Sequence, residues 1–421
     1  MSIATRILLS LVAGLLIGIA LAAVSPGAAL ALIPVAEPVG TAWLNALQMT
    51  IIPLVTSLLI TGIAATAEAV KAGAVAARAI VLILCVMALS AVVAAVLTPL
   101  LLQLFPIPAE SAAALRGALS HVAPPGEVPG LAAFFLSVVP SNAVAAAASS
   151  AYLSLIVFTL VFAFAITKVE PEGRARLTGF FTALRDAMLV MVQWIIWIAP
   201  VGVFALAFLV GARAGTTAFG ALVHYIVIVS AVGVVMGLLG YPLAAIGGRM
   251  PVRRFAASAA ASQAVALSTQ SSLATLPQML KGAERLGVPV AHSGVILPLS
   301  VVMMRGTGPA MNLAVAIYVG QWFGVPLTLP VLAAATVVAM LTSMGAVSLP
   351  GQVSFISSIA PVAATLGVPV APLGLLVAVE PIPDLFRTVG NVTMDLAATV
   401  AVSARSAPVP EDEADRMLAE G

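Results

Sequence analysis

Apolar runs about as long as a bilayer is thick recur from one end of this chain to the other, and this constrains its fold more than any other feature. A spanning helix needs about 20 apolar residues. Runs of that order cover 7–33, 43–66, 78–104, 131–167, 187–212 and 219–247, separated by short charged or Pro/Gly-rich breaks. Only 8% of the 421 residues are charged, against roughly a quarter in soluble domains, so the chain cannot cover a water-facing surface. It reads as an integral membrane protein. The runs do not alternate with the period of a strand, which leaves an α-helical bundle. The first run is one of many and is read as a span, not as a removable signal peptide.

Other classes drop out on the same grounds. Lys+Arg 18 against Asp+Glu 16 gives a net charge of +2, too little for a nucleic-acid surface. The one cysteine, Cys85, lies in ILCVMALS and excludes disulfides and thiolate metal clusters. His121, His224 and His292 are scattered along the chain, so no haem or His-rich metal site is expected.

After residue 250 the pattern changes. Segments 254–287, 293–323, 330–370 and 372–404 are apolar but interrupted by SSLATLP, MMRGTGP and SLPGQ. Two broken segments, each followed by a helix polar at its middle, suggest a pair of related halves. The chain thus divides into six N-terminal helices (1–250), a core of broken segments (251–405) and an acidic tail (406–421). With the N-terminus inside, Arg116 and Arg213 face out, Arg305 and Arg387 lie within the membrane, and the remaining basic residues face the cytoplasm if 254–287 enters and returns. The loop 105–130 is then an extracellular connector, and both termini are cytoplasmic.

Charges at membrane depth cost several kcal/mol each and mark function by default. Five stand out: Arg305, Glu380, Asp384, Arg387 and Asp395. At about 100° per residue, Glu380, Asp384, Arg387, Asn391 and Asp395 share a stripe roughly 80° wide on one helix. The bland reading is a structural ion-pair ladder; the functional one is a ligand-lined face with an anion receptor and several cation receptors. STQSSLATLP (Ser268–Pro277) places hydroxyls and free backbone N–H groups at a hairpin tip, which suits a carboxylate. SMGAVSLPGQ (Ser343–Gln352) exposes carbonyls at a second break. Two such tips beside a charged helix are the arrangement expected of a carrier site.

SSLATLP, DLFRTVGNVTMD and QWIIWIAPVGVFAL (Gln193–Leu206) resemble the dicarboxylate/amino acid:cation symporters, the glutamate transporter homologues. LQMTIIPLVTSLLITGIA (Leu47–Ala64), VVPSN and LSLIVFTLVFAFAI match too, so the resemblance runs over essentially the whole chain. It implies eight transmembrane helices, two re-entrant hairpins, a homotrimer, and a transport domain moving against a scaffold by an elevator motion. Helices three and six would join residues 251–405 in that domain. The resemblance also implies roles. Asp384 would take a substrate amino group, Arg387 a side-chain carboxylate, and Asn391 the α-carboxylate together with Ser271 and Ser272. Thr388 would lie beside the substrate, Glu380 would orient the arginine, and Pro350-Gly351 would form the tip of an outer gate. Asp395 would ligate sodium. A planar guanidinium suits a carboxylate and a buried carboxylate suits an ammonium.

One motif departs from the family. Its seventh helix carries Asn-Met-Asp-Gly-Thr with sodium ligands, whereas this chain reads LPLSVVMMRGTGPAMNLAVAIYVGQ (Leu297–Gln321). Ungapped, the Asn and Asp become Met304 and Gly306; shifted by one, Arg305 stands on the Asp. Both ligands are absent and a cation stands there. In the third helix only Ser90 remains of the hydroxyls used for that ion. The expectation is a transporter of acidic amino acids, aspartate or glutamate, that needs no sodium because Arg305 contacts Asp395. Protons through Glu380 or Asp384 are an alternative coupling, and Asp395 with the carbonyls of Ser343, Met344 and Ala346 would be what remains of a sodium site. No organic cofactor is expected, and the bacterial inner membrane is the expected location. Dicarboxylates or small neutral amino acids are the alternative substrates, and an anion channel is the alternative class. A hydrolase is excluded because Ser272 has no histidine or lysine beside it.

Overall fold

A computed structural model of the chain describes residues 3–71, 73–108, 110–113, 138–344 and 351–406. Among these no strand forms, and the fold is all-helical. The N-terminal part runs α1 (Ile3–Val24), α2 (Pro26–Lys71), α3 (Ala74–Leu104), α4 (Tyr152–Ile166), α5 (Pro171–Trp197), α6 (Ala199–Ala214) and α7 (Thr217–Leu238). Among the described residues six stretches are long and apolar enough to cross a membrane: Thr5–Val24, Pro26–Glu68, Ala74–Leu104, Pro171–Trp197, Phe219–Gly247 and Val290–Phe323. Large apolar side chains stand exposed along them, among them Leu9, Leu16, Val92, Val96, Trp194 and Val227, as surfaces facing lipid require.

The breaks fall at prolines more often than hydropathy alone suggests. The expected run 7–33 divides at Ser25, where Pro26 opens α2, and 187–212 divides at Ile198, just before Pro200 in the first turn of α6. Proline fits the first helical turn, where its missing N–H has no partner to lose. The run 43–66 is only the middle of α2, which holds Pro34, Pro38 and Pro53 without ending. The run 131–167 resolves into the short helix Ala143–Ala148, capped by Asn142, followed by α4.

The C-terminal part follows the expected pattern of breaks. Helices α8 (Val252–Thr269) and α9 (Ser272–Arg285) form a hairpin with Gln270 at its tip, and α10 (Val290–Met303) and α11 (Gly308–Phe323) are one helix interrupted at 304–307. A second pair, α12 (Leu329–Ser343) and α13 (Gly351–Thr365), packs together and precedes the short helix Pro372–Leu376 and α14 (Pro381–Ser403). Each half is thus a helix pair followed by an interrupted helix. Pro350, Ala346, most of 105–130 and the tail 407–421 lie outside the described residues.

The largest apolar core joins α2, α3, α6, α7, α11 and α13 through residues such as Leu54, Met87, Val203, Val229, Ile317 and Ile359. A second core belongs to the first hairpin, α10 and α14: Phe255, Met279, Leu297, Val301, Leu396 and Val400. The charged stripe of α14 lies where α7 and α11 close on it, and that closeness depends on glycine. A Cβ on Gly390 would collide with Thr307 Cγ2 and sit 3.3 Å from Gly237 Cα. Gly390→Ala is therefore expected to destabilise the protein by about 1–3 kcal/mol, the usual cost of overpacking. Thermal unfolding in detergent checks this against Gly220→Ala, where nothing lies within 4 Å of the added methyl.

Candidate functional site

The site grows out of α14, whose sequence interrupts an apolar helix with five polar residues at helical spacing. Glu380 and Asp395 are fully buried, at 0% exposure, with Asp384 at 4% and Arg387 and Asn391 at 6%. All five residues are therefore covered.

Arg387 is its centre. Nη2 donates to Glu380 Oε1 at 2.7 Å, Nε lies 3.4 Å from Asp384 Oδ1, and Nη1 donates to Asn312 Oδ1 at 3.0 Å. Tyr225 on α7 donates to the other oxygen of Glu380 at 3.3 Å, so the carboxylate is held from two sides. Tyr225 packs edge-on against Tyr318, and Tyr318 against Trp322, which fixes the phenol in an apolar wall. Sequence reasoning placed Glu380 beside the arginine but missed Tyr225 and Asn312. The available signal for Asn312 was an amide in the middle of the apolar run GPAMNLAVAIYV, where an unsatisfied polar group is costly.

The break at 304–307 faces the lower half of the stripe. Met304 is extended (φ −92°, ψ 92°), which ends α10 and turns the chain before α11. Thr307 N–H donates to Asn391 Oδ1 at 2.9 Å. Its hydroxyl lies 2.9 Å from the same oxygen and 3.0 Å from the Arg387 carbonyl, and with one proton it can donate to only one of them at a time. Thr307, like Asn312, was not anticipated. Thr388 is a backbone-bonded hydroxyl, donating to Asp384 O at 2.9 Å.

Arg305 sits in the break within electrostatic reach of Arg387, Asp384 and Asp395. The expected Arg305–Asp395 contact is not made: neither carboxylate oxygen of Asp395 has a hydrogen-bond partner. The extended backbone at Met304, not the register along α14, determines where Arg305 goes, and the guanidinium acts on Asp395 across space. Ser90, the remaining third-helix hydroxyl, accepts Ala310 N–H at 3.2 Å and so serves the start of α11. As a sodium site the break fits poorly. Asp395 is a suitable hard oxygen donor, but Met303 and Met304 offer thioethers and Arg305 brings a like charge.

The first hairpin tip and the end of α12 reach the elements around this face. Gln270, in the left-handed region at φ 51°, donates through Nε2 to Pro381 O at 3.1 Å, which ties the first tip to the start of α14. Ser271 caps α9 by accepting Ala274 N–H at 3.2 Å; it and Ser272 are half-buried. On the second pair, Ser343 ends α12 and its hydroxyl accepts from Asn312 Nδ2 at 3.1 Å. Gly351 begins α13. The geometry thus sets Glu380, Asp384 and Asn312 around one buried guanidinium, with Ser343 one hydrogen bond further out, which is suited to holding an anion that also carries a cationic group.

A sequence model of the sodium:dicarboxylate symporter family matches residues 3–405. The chain is 29% identical over 275 residues to a proton/sodium-glutamate symport protein of Bacillus subtilis (strain 168), covering 64% of this chain and 62% of that protein. It is 32% identical over 247 residues to a neutral amino acid transporter B(0) of Mus musculus, covering 58% and 44%. A C4-dicarboxylate transport protein of Rhodopseudomonas palustris (strain BisB5) is 28% identical over 272 residues, covering 64% and 60%. The matches therefore span less than two thirds of these relatives' own lengths.

Proposed function

This chain belongs to the sodium:dicarboxylate symporter family, a family of carriers and not of enzymes, and from that premise we propose that it is a secondary transporter of acidic amino acids, aspartate or glutamate, which does not require sodium. The buried Arg387, flanked by Glu380, Asp384 and Asn312, is the observation that carries the reading. A guanidinium at 6% exposure is costly to bury, and it is useful where a carboxylate must be recognised without water. Asp384 turns from Arg387 to the substrate ammonium, Asn391 and the first hairpin tip hold the α-carboxylate, and Thr388 lines the chamber.

The wider architecture is part of the same proposal. Eight spanning helices and two re-entrant hairpins lie in the bacterial inner membrane with both termini cytoplasmic, three copies assemble, and residues 251–405 form most of a transport domain. That domain moves as an elevator against a scaffold drawn from residues 1–250, with Gly351 at the outer gate.

Asp384 supports a second reading. Its carboxylate is engaged with Arg387, and a dicarboxylate without an amino group would leave it there. Uptake of labelled aspartate into proteoliposomes, with aspartate, succinate and serine as competitors, separates the readings. Aspartate is expected to compete at least about tenfold better than succinate, the scale of one charge-assisted hydrogen bond, and Asp384→Ala should erase that preference. Equal competition by succinate before mutation would favour the dicarboxylate reading, and competition by serine alone would favour the neutral amino acids.

A further inference from the structure

A groove of about 560 Å³ opens between the first half of α3, the turn that follows α7 and the end of α14. Its walls are Val81 and Cys85 on α3, Leu243 on the π-helical turn Leu243–Gly247, and Ala401 and Val402 on α14. A Cβ on Gly247 would meet Ala401 Cβ at 2.9 Å, so glycine is what lets the turn and α14 touch at this point. The lip beside the groove is apolar and open: Val81 is 62% exposed and Ile246 78%. Such a surface is one that a span offers to acyl chains.

Two arginines stand at the head of this groove. Arg78 lies near the start of α3, and Arg405 lies just beyond the end of α14. Arg78 Nη1 donates to Arg405 O at 2.9 Å and so serves a carbonyl at the end of α14, where carbonyls lack helical partners. That bond spends one guanidinium donor and leaves the others to a ligand. Both side chains line the same groove, so two like charges stand together. Among the described residues neither has a carboxylate within ion-pair distance. Cys85 lies about 10 Å further along α3 than Arg78, so the groove runs from a cationic head to an apolar depth.

We infer that this groove binds an anionic phospholipid, with the phosphodiester between Arg78 and Arg405 and one acyl chain laid along α3 past Cys85. Charge complementarity selects the headgroup: two cations without a carboxylate suit a phosphate, which a guanidinium meets with paired N–H bonds. Basic pockets between spanning helices are suited to such headgroups. The apolar depth selects a lipid over a free anion, since each buried methylene adds to affinity and inorganic phosphate brings none. The bound lipid ties α3 to α14, the helix that carries Arg387, in addition to the bond from Arg78. The site needs only headgroups at this level and does not depend on which leaflet supplies them.

The full chain in nanodiscs tests this directly, because Cys85 is its one cysteine and is exposed in the groove. With phosphatidylglycerol and phosphatidylcholine in equal amounts, native mass spectrometry should show phosphatidylglycerol retained about thirtyfold more, the scale of two basic residues at an anionic headgroup. Arg78→Gln/Arg405→Gln should lose that preference. Arg253→Gln, which removes an exposed charge on α8, should keep it. Reaction of Cys85 with N-ethylmaleimide should slow about tenfold when phosphatidylglycerol replaces part of a phosphatidylcholine disc, as for a site about nine-tenths occupied. The double variant should show no such protection, and protein already labelled at Cys85 should retain less phosphatidylglycerol. Equal retention of the two lipids, or protection that survives the double variant, overturns the inference. So does equal protection by inorganic phosphate, which would make this a site for small anions. Protection in pure phosphatidylcholine that is lost in Glu411→Gln/Asp412→Asn/Glu413→Gln would make the chain's own acidic segment the occupant and overturn it too. Every readout is taken without substrate, so the carrier reading stands or falls separately.

Discussion

Replacing Arg387 by alanine should abolish uptake of acidic amino acids. In the intact site the guanidinium lies between Glu380 at 0% exposure and Asp384 at 4%, with Nη1 on Asn312. Removing one member of a buried, hydrogen-bonded charge set typically costs about 2–5 kcal/mol in binding, so aspartate affinity should fall by at least about thirtyfold. Two effects add in the same direction: the substrate loses its receptor, and two buried carboxylates now repel it. The variant should also be less stable by about 3–5 kcal/mol, because Glu380 is left without its cation. Arg387→Ala combined with Glu380→Gln separates the two effects. The glutamine keeps the oxygen that Tyr225 donates to and removes the orphaned charge, so stability should recover while aspartate uptake should not. Small neutral amino acids, which bring no second carboxylate, should be admitted by the double variant. Competition of labelled substrate by aspartate and by serine reads both outcomes. Aspartate affinity within about twofold of the unmodified protein would remove Arg387 from the substrate's contacts, since truncating one partner of a buried, hydrogen-bonded charge pair costs about 2–5 kcal/mol.

The parts of this site that sequence disclosed share a physical basis. Helical periodicity is rigid, so polar residues at 380, 384, 387, 391 and 395 had to share a face once α14 formed, and an apolar environment had to cover them. The hairpin tip at Gln270 was legible for a similar reason: a cluster of small hydroxyl residues before Leu276-Pro277 competes with helix continuation. Periodicity stops at an interruption, however. The break at 304–307 was foreseen, but the direction of Arg305 follows from backbone dihedrals at Met304 that no pattern of side chains encodes, and the expected contact with Asp395 failed there. Asn312, Thr307 and Tyr225 were missed because each meets α14 from another helix, at sequence separations of 75, 84 and 155 residues. Proline misled in the opposite direction. Pro34 and Pro38 fall in the gap read between 7–33 and 43–66, yet α2 continues through them, since an apolar surrounding leaves the backbone nothing better than its own helix.

Substrate binding should be nearly indifferent to sodium in the unmodified protein and should become sodium-dependent in Arg305→Ala. Asp395 is fully buried and neither of its oxygens accepts a hydrogen bond, so its charge is tolerated only through a cation nearby. Arg305 exerts its field on Asp395, Asp384 and Arg387. In an effective dielectric of about 20, unit charges interact by about 4 kcal/mol at about 4 Å and by less in proportion to distance, so such a field is worth on the order of tenfold or more in an equilibrium constant. That field acts continuously, whereas a bound ion acts only when its concentration permits. In the unmodified protein the affinity for aspartate, titrated at fixed pH, should therefore shift by less than about twofold between sodium-free and sodium buffers, as for a ligand that does not distinguish the states. Removing the guanidinium leaves Asp395 as an uncompensated anion beside the chamber, and sodium-free affinity should drop by about tenfold or more by the same Coulomb estimate. Added sodium should then recover part of that loss, because a hard cation can use the carboxylate and neighbouring carbonyls. Arg305→Lys keeps the charge with a shorter reach and should lie between. Strong sodium dependence in the unmodified protein would end the idea that Arg305 substitutes for an ion. A sodium-free affinity untouched by Arg305→Ala would show that Asp395 is stabilised by something other than this charge.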